Sequence, residues 1–208
     1  TTEIYTLSLH DALPIYYYCE VTGACDIKQS SVAKLTVHTP ASINTQPASK
    51  TICQGTSTTL VFDVSGDVTY LWKKNGSTIT DANISGTTSD QLVVDFANPS
   101  NSGDYSCTVT DYCGNQLTSN VATLTVNPIT VITTQPISRT KCEGDGIVFT
   151  VVAEGSSLTY DWQRNGVSIG VATSTLLISP LVKATHEGTY TCIVSGDCGI
   201  PEIGRAHV

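Results

Sequence analysis

The sequence contains no methionine, and it carries only three phenylalanines and two tryptophans in 208 residues. With no methionine there is no encoded start, so the chain reads as an internal piece of something longer. Charged side chains make up 13 %, about half of the roughly 25 % usual in soluble proteins. Ten lysines and arginines stand against eighteen acidic residues, a net charge of −8. That balance excludes the basic surfaces that nucleic acid and anionic membranes attract. No apolar run approaches the roughly 18 residues of a spanning helix, and no secretory signal is visible. The expectation is no nucleic-acid partner and no membrane insertion.

Catalytic patterns are missing as well. There is no glycine-rich phosphate loop after a strand, no H-E-x-x-H and no G-x-S-x-G. Of four histidines, two lie in the terminal segments discussed next, and His38 and His186 are far apart in the chain. A nucleophile would therefore lack a positioned base. The acidic residues Asp63, Asp67, Asp81, Asp90, Asp95, Asp104 and Asp111 have no EF-hand spacing. No close Cys pair of the C-x2–4-C type exists, which disfavours structural zinc. The chain is expected to be no enzyme, with no cofactor, no metal and no catalytic residue.

What is present is repetition between two unusual ends. Residues Thr1 to Ile15, TTEIYTLSLHDALPI, resemble a translated reading frame of a common sequencing adapter. Residues 203–208, Ile-Gly-Arg-Ala-His-Val, match the start of the opposite adapter in the same way. Residues 1–15 and 203–208 are accordingly read as artefacts, with native sequence over about Tyr16 to Glu202 and a metagenomic fragment as the source. Between the ends, Tyr17-Tyr-Cys19 recurs as Tyr105-Ser-Cys107 and Tyr190-Thr-Cys192. Cys53-Gln-Gly55 recurs as Cys142-Glu-Gly144, and Thr69-Tyr-Leu-Trp72 as Thr159-Tyr-Asp-Trp162. A period of about 85–90 residues is a whole small domain rather than a solenoid unit of about 20–50 residues. Residues 16–38 are the closing hairpin of a first repeat, 39–127 a complete repeat, and 128–202 a third repeat without its last strand. The linkers His38-Thr-Pro40 and Asn127-Pro128 are short, and each proline favours extended backbone before it. Only residues 39–127 are expected to fold alone, because an isolated hairpin is marginal and an unpaired edge aggregates.

Within the complete repeat apolar residues alternate with period two: Leu60, Phe62, Val64; Tyr70, Trp72; Leu92, Val94, Phe96; Tyr105, Cys107, Val109. This is the pattern of half-buried strands. Asn75-Gly76 and Asn165-Gly166 after the Trp strands are hairpin signals. The fold class is all-β. Asn101-Ser-Gly-Asp-Tyr105-Ser-Cys107 and His186-Glu-Gly-Thr-Tyr190-Thr-Cys192 resemble the Asp-x-Gly-x-Tyr-x-Cys corner of the immunoglobulin fold, with Asn101 and His186 replacing the acid. The resemblance implies tandem immunoglobulin-like Greek-key β-sandwiches. In them Trp72, Tyr105, Cys107, Trp162, Tyr190 and Cys192 are structural core, and each Tyr hydroxyl bonds back to the corner.

The cysteines depart from the antibody pattern. The second-strand position holds Phe62 in one repeat and Val151 in the other, so the usual bridge between sheets is absent. Instead each copy has a Cys before its second strand (Cys53, Cys142) and one after its sixth (Cys25, Cys113, Cys198). This scheme is similar to the repeats of large secreted proteins of Bacteroidota-type bacteria. That resemblance implies disulfides at Cys53, Cys113, Cys142 and Cys198, paired 53–113 and 142–198. The alternative is 53–107 and 142–192, since connectivity cannot be read from sequence. Cysteines at repeating positions favour an oxidising, extracellular location, secreted or at the cell surface. Two functions stand: an adhesin stalk or cell-surface interaction module, and a carbohydrate- or protein-binding accessory module of a secreted enzyme. Partners would be an unidentified protein or glycan, besides neighbouring repeats, and Tyr112 is the best exposed aromatic for a ligand.

Overall fold

The computed structural model describes residues 15–207. The adapter-like reading of residues 1–15 therefore falls outside the described residues, Ile15 excepted. Residues 15–35 form a nested hairpin in which Ile15–Tyr17 pairs with Ala33–Leu35 and Glu20–Thr22 with Ile27–Gln29. Every residue in these four strands is exposed. Among the described residues no second sheet faces them, so they form no core.

The second repeat is a two-sheet sandwich. One sheet runs Ser77–Thr78, Val68–Lys74, Gly103–Asp111, Ala122–Asn127, Lys50–Cys53, with Gln116–Thr118 also paired to Gly103–Asp111. The opposite face holds Ile84–Ser85, Gln91–Val94 and Thr58–Val61, and Asp63–Ser65 continues it against Ser42–Thr45. Period-two alternation sends Leu60, Phe62, Val64, Leu92, Val94, Tyr105, Cys107 and Val109 into the shared core around Trp72. Each full burial of such a side chain is worth about 1.5–3 kcal/mol.

Phe96 breaks the alternation that the sequence suggests. It is 76 % exposed, and the fully buried Ala97 takes the inward place instead. The strand ends at Val94, and Phe96 turns out with φ at 45°.

The third repeat repeats the plan. Val167–Ser168, Thr159–Arg164, Thr189–Ser195 and Glu202–His207 form one sheet. Ile147–Thr150 pairs with Thr175–Ile178, and Val131–Thr134 with Val152–Glu154, on the other side. Its core gathers Phe149, Val151, Leu176, Tyr190 and Cys192 around Trp162.

The expected missing strand is thus present, formed by Glu202 and the residues read as adapter-like. It runs antiparallel to the Tyr-x-Cys strand, from Val194 opposite Glu202 to Thr189 opposite His207. Its inward residues are Gly204 and Ala206, while Ile203 faces out. That alternation is the reverse of an apolar signature, which hides the strand from a pattern reading. The small residues suit the site: a Cβ at Gly204 would lie 2.8 Å from Val151 Cγ2.

Candidate functional site at the domain junction

Two corners of like sequence and one junction hold the chemistry-bearing residues. At the corners, the Tyr105 hydroxyl donates to Asn101 O at 2.7 Å and the Tyr190 hydroxyl to His186 O at 2.8 Å. Trp72 lies opposite Cys107 and Trp162 opposite Cys192, and all of these are buried. Each indole N–H is satisfied, by Ser89 O and Thr173 O. Burial pushes the Cys107 and Cys192 thiols up to about 11, which keeps them protonated and unreactive.

The corner substitutions have different solutions. Buried Asn101 donates its amide to Asp81 Oδ1 and Asn83 Oδ1, and Lys74 Nζ reaches the same Asp81 oxygen at 3.4 Å. Asp81 thus supplies a carboxylate beside Asn101 and Lys74 at this corner. His186 is only partly exposed and its Nδ1 accepts from Val182 N–H at 2.9 Å. Both corners are also tied to the preceding hairpin turn. Asn75 Oδ1 accepts from Asp104 N–H, and Asn165 Oδ1 from Thr189 N–H, each at 2.9 Å. Gly103 and Gly188 make that approach possible, since a Cβ would sit 2.9 and 2.7 Å from those oxygens.

The junction between the second and third repeats is built by backbone. Lys50–Cys53 runs parallel to the last strand, with Cys53 opposite Asn127, and Gln54 N–H donates to Asn127 O. Cys53 is therefore held at the end of the second sandwich where the chain leaves it. Three residues on, buried Thr130 donates both its N–H and its hydroxyl to Cys198 O, at 2.9 and 3.0 Å. The loop bearing Cys198 is fixed by Asp197 N–H to Ser156 O and by the Ser157 hydroxyl to Asp197 Oδ2. Close packing completes it: a Cβ on Gly196 would lie 2.5 Å from Thr130 Oγ1.

Cys53 and Cys198, 145 positions apart in the chain, form a disulfide with Cα atoms 5.5 Å apart. It joins one repeat to the next. Neither pairing expected from the sequence is formed, and Cys113 and Cys142 are exposed thiols. The reason is geometric. Cys53 sits at the exit end of its sandwich, whereas Cys113 follows Asp111 at the far end of the nine-residue strand Gly103–Asp111. At about 3.3 Å per residue that strand alone spans roughly 25 Å, far beyond the roughly 7 Å limit for a bridge. Cys107 is ruled out too, because it points into the core beside Trp72. Cys142 and Cys198 occupy the corresponding opposite ends of the third repeat.

The same loop in the second repeat meets a different neighbour. Tyr112 N–H donates to Asp67 O, as Asp197 does to Ser156. Tyr112 stacks on His38 of the incoming linker with ring centroids 3.7 Å apart, and His38 Nδ1 lies 3.1 Å from Asp67 Oδ2. Asp111 replaces Gly196. The Asn115 side-chain amide, with the N–H groups of Asn115, Cys113 and Ala41, holds its carboxyl below the usual range, burial opposing them. Among the described residues no three His, Cys, Asp or Glu side chains converge to hold a metal.

The paired sheets, the Trp opposite the strand-six Cys and the Tyr corner together decide the architecture. This chain is a tandem of immunoglobulin-like β-sandwiches. Residues 41–126 match the immunoglobulin I-set domain and residues 130–196 match an immunoglobulin domain family. Mouse hemicentin-1 is 25 % identical over 197 residues, which is 88 % of this chain and 3 % of that protein. The chain thus spans a small fraction of this curated relative. An I-band fragment of titin superposes with a TM-score of 0.71 at 16 % identity, covering 93 % of this chain and 73 % of that one. The first two immunoglobulin domains of DIP-gamma give 0.65 at 17 %, covering 81 % and 96 %. At these identities the structural likenesses speak for the immunoglobulin fold alone.

No helix among the described residues is long and apolar enough to cross a membrane.

Proposed function

We propose that the chain is a non-catalytic, extracellular segment of an immunoglobulin-like array, serving as an adhesin stalk, spacer or cell-surface interaction module. The observation that carries this reading is the junction. A covalent bridge, two hydrogen bonds from Thr130 and a proline-bearing linker restrain the third repeat against the second. A disulfide favours an oxidising compartment, and restrained junctions suit a rod that holds something at a distance. The similarity to hemicentin-1 over most of the chain is consistent with a piece of a much longer protein.

The proposed bacterial source rests on where the cysteines fall in each repeat. The adapter-like reading of the ends stays a proposal on the same footing, and the nucleotide sequence at residues 1–15 and 203–208 checks it. A second reading, a protein- or glycan-binding module of a secreted enzyme, draws on Tyr112, which is 72 % exposed on a loop held by a rigid scaffold.

Small-angle scattering on the oxidised full chain separates the two, together with a glycan array. The stalk reading predicts one extended conformation and no glycan signal. Glycan binding that Tyr112→Ala abolishes would favour the binding module instead.

A further inference from the structure

We propose that Cys142 and Cys113 are the open halves of the bridge that Cys53 and Cys198 close, so that every junction of the array carries one disulfide between successive repeats. The rule is that the Cys before the second strand of one repeat bonds to the Cys after the sixth strand of the next. Cys142 is the third repeat's counterpart of Cys53, and Cys113 is the second repeat's counterpart of Cys198. The proposal goes beyond the stalk reading but rests on the chain being part of a longer array.

Three observations carry it. The first is the formed bridge itself, which fixes the geometry of one junction. The second is that the loop of Cys113 has the same scaffold as the loop of Cys198. Tyr112 N–H donates to Asp67 O in one, and Asp197 N–H to Ser156 O, one residue earlier in the facing turn, in the other. The incoming linker also lies on both loops, through His38 on Tyr112 and Thr130 on Cys198.

The third is the setting of Cys142. Gly144 N–H donates to Leu181 O and Asp145 N–H to Cys142 O, as Gly55 N–H does to Ala97 O and Thr56 N–H to Cys53 O, so the two cysteines open the same turn on the same neighbouring loop. Beside Cys142 lies a groove of about 450 Å³, lined among others by Lys141, Glu143, Leu181, Val182 and His186. We assign its occupant as the loop after the sixth strand of the following repeat, the group that meets Cys53 at the formed junction.

Chemically, the Cys142 thiol and the thiol of the following repeat form an S–S bond and release two protons and two electrons. A protein or small-molecule disulfide such as oxidised glutathione accepts them and is reduced to two thiols.

The test is a longer array in the same register. The chain through Gly199 is continued by a second copy of residues 115–208, which supplies a fourth repeat with its own last strand. It is refolded with reduced and oxidised glutathione and mapped by mass spectrometry. The proposal predicts a Cys142 bond to the new copy of Cys198, with Cys53–Cys198 unchanged. Cys142→Ser should free the new Cys198 to alkylation and leave Cys53–Cys198 intact. A folded array in which Cys142 stays alkylatable would overturn it.

The unextended chain gives an independent readout under the same conditions. There Cys142 and Cys113 should take up glutathione or alkylating reagent. A Cys142–Cys198 or Cys53–Cys113 peptide would overturn the rule. Neither result bears on ligand binding, so the stalk reading can fail separately.

Discussion

The loop after the sixth strand occurs at the entry of the second repeat and at the entry of the third, in two chemical states. In the third repeat Cys198 is bonded to the preceding sandwich, and Thr130 fills the space left by Gly196. In the second repeat Cys113 is a thiol, His38 stacks on Tyr112, and Asp111 gathers N–H groups where Gly196 leaves room for a hydroxyl. The scaffold is shared, so the difference comes from what precedes each repeat. A complete sandwich presents a Cys at its exit end, and the exposed hairpin of residues 15–35 does not. The junction is therefore a property of two adjacent repeats, not of one.

The two repeats can be compared directly because each holds a single Trp. Trp72→Ala should cost about 3–5 kcal/mol, the usual range for a buried large aromatic. Urea unfolding followed by the remaining Trp162 should be little changed. Loss of the Trp162 transition as well would show that the two sandwiches unfold as one unit.

Asn101→Asp comes next in size. It would set a carboxylate against Asp81, only 3.2 Å from the present amide nitrogen, and remove the donor that Asp81 and Asn83 now share. A loss of about 1–3 kcal/mol is expected for the second repeat, read from the Trp72 fluorescence midpoint. An unchanged midpoint would mean that Asp81 is not the acid of this corner.

Tyr105→Phe and Tyr190→Phe remove one hydrogen bond each and should each cost about 1 kcal/mol. The loss should be larger at the buried Asn101 corner than at the His186 corner, and equal losses would blur the distinction between them.

The smallest effect is in acid. Asp111 has a folded-state pKa below its unfolded value of about 3.9. It therefore stabilises the second repeat above about pH 4, and that contribution is lost as pH falls through the lower folded value. The third repeat has Gly196 there, and its own lowered carboxyl is Asp161, held by the Ser168 hydroxyl and the Gln163 amide. Stability of the second repeat should fall between about pH 4 and 2, and Asp111→Asn should flatten that fall while leaving the Trp162 curve unchanged. A Trp72 acid curve that Asp111→Asn leaves unchanged would contradict this.

The sandwiches were largely legible in the sequence, because period-two alternation and the Tyr-x-Cys corners report directly on which side chains face inward. Trp72, Tyr105, Trp162 and Tyr190 are large and buried, and local spacing points to them. Three features were not legible, each for a physical reason. Phe96 leaves the core through a backbone turn that its apolar side chain does not announce. Glu202–His207 places glycine and alanine inward, so small size rather than apolarity marks the strand. The partner of Cys53 depends on which end of a sandwich each Cys occupies and on how the next sandwich docks, and neither is a property of spacing along one repeat. The Cys53-to-Cys142 and Cys113-to-Cys198 correspondences were visible, but a pairing between repeats needs the junction.

The most direct test of the interdomain bridge is disulfide mapping of the oxidised full chain, digested without reduction and sequenced by mass spectrometry. The account predicts a peptide containing Cys53 linked to one containing Cys198, with Cys107 and Cys192 reduced. A Cys53–Cys113 link, with Cys142 bonded to Cys198, would contradict it.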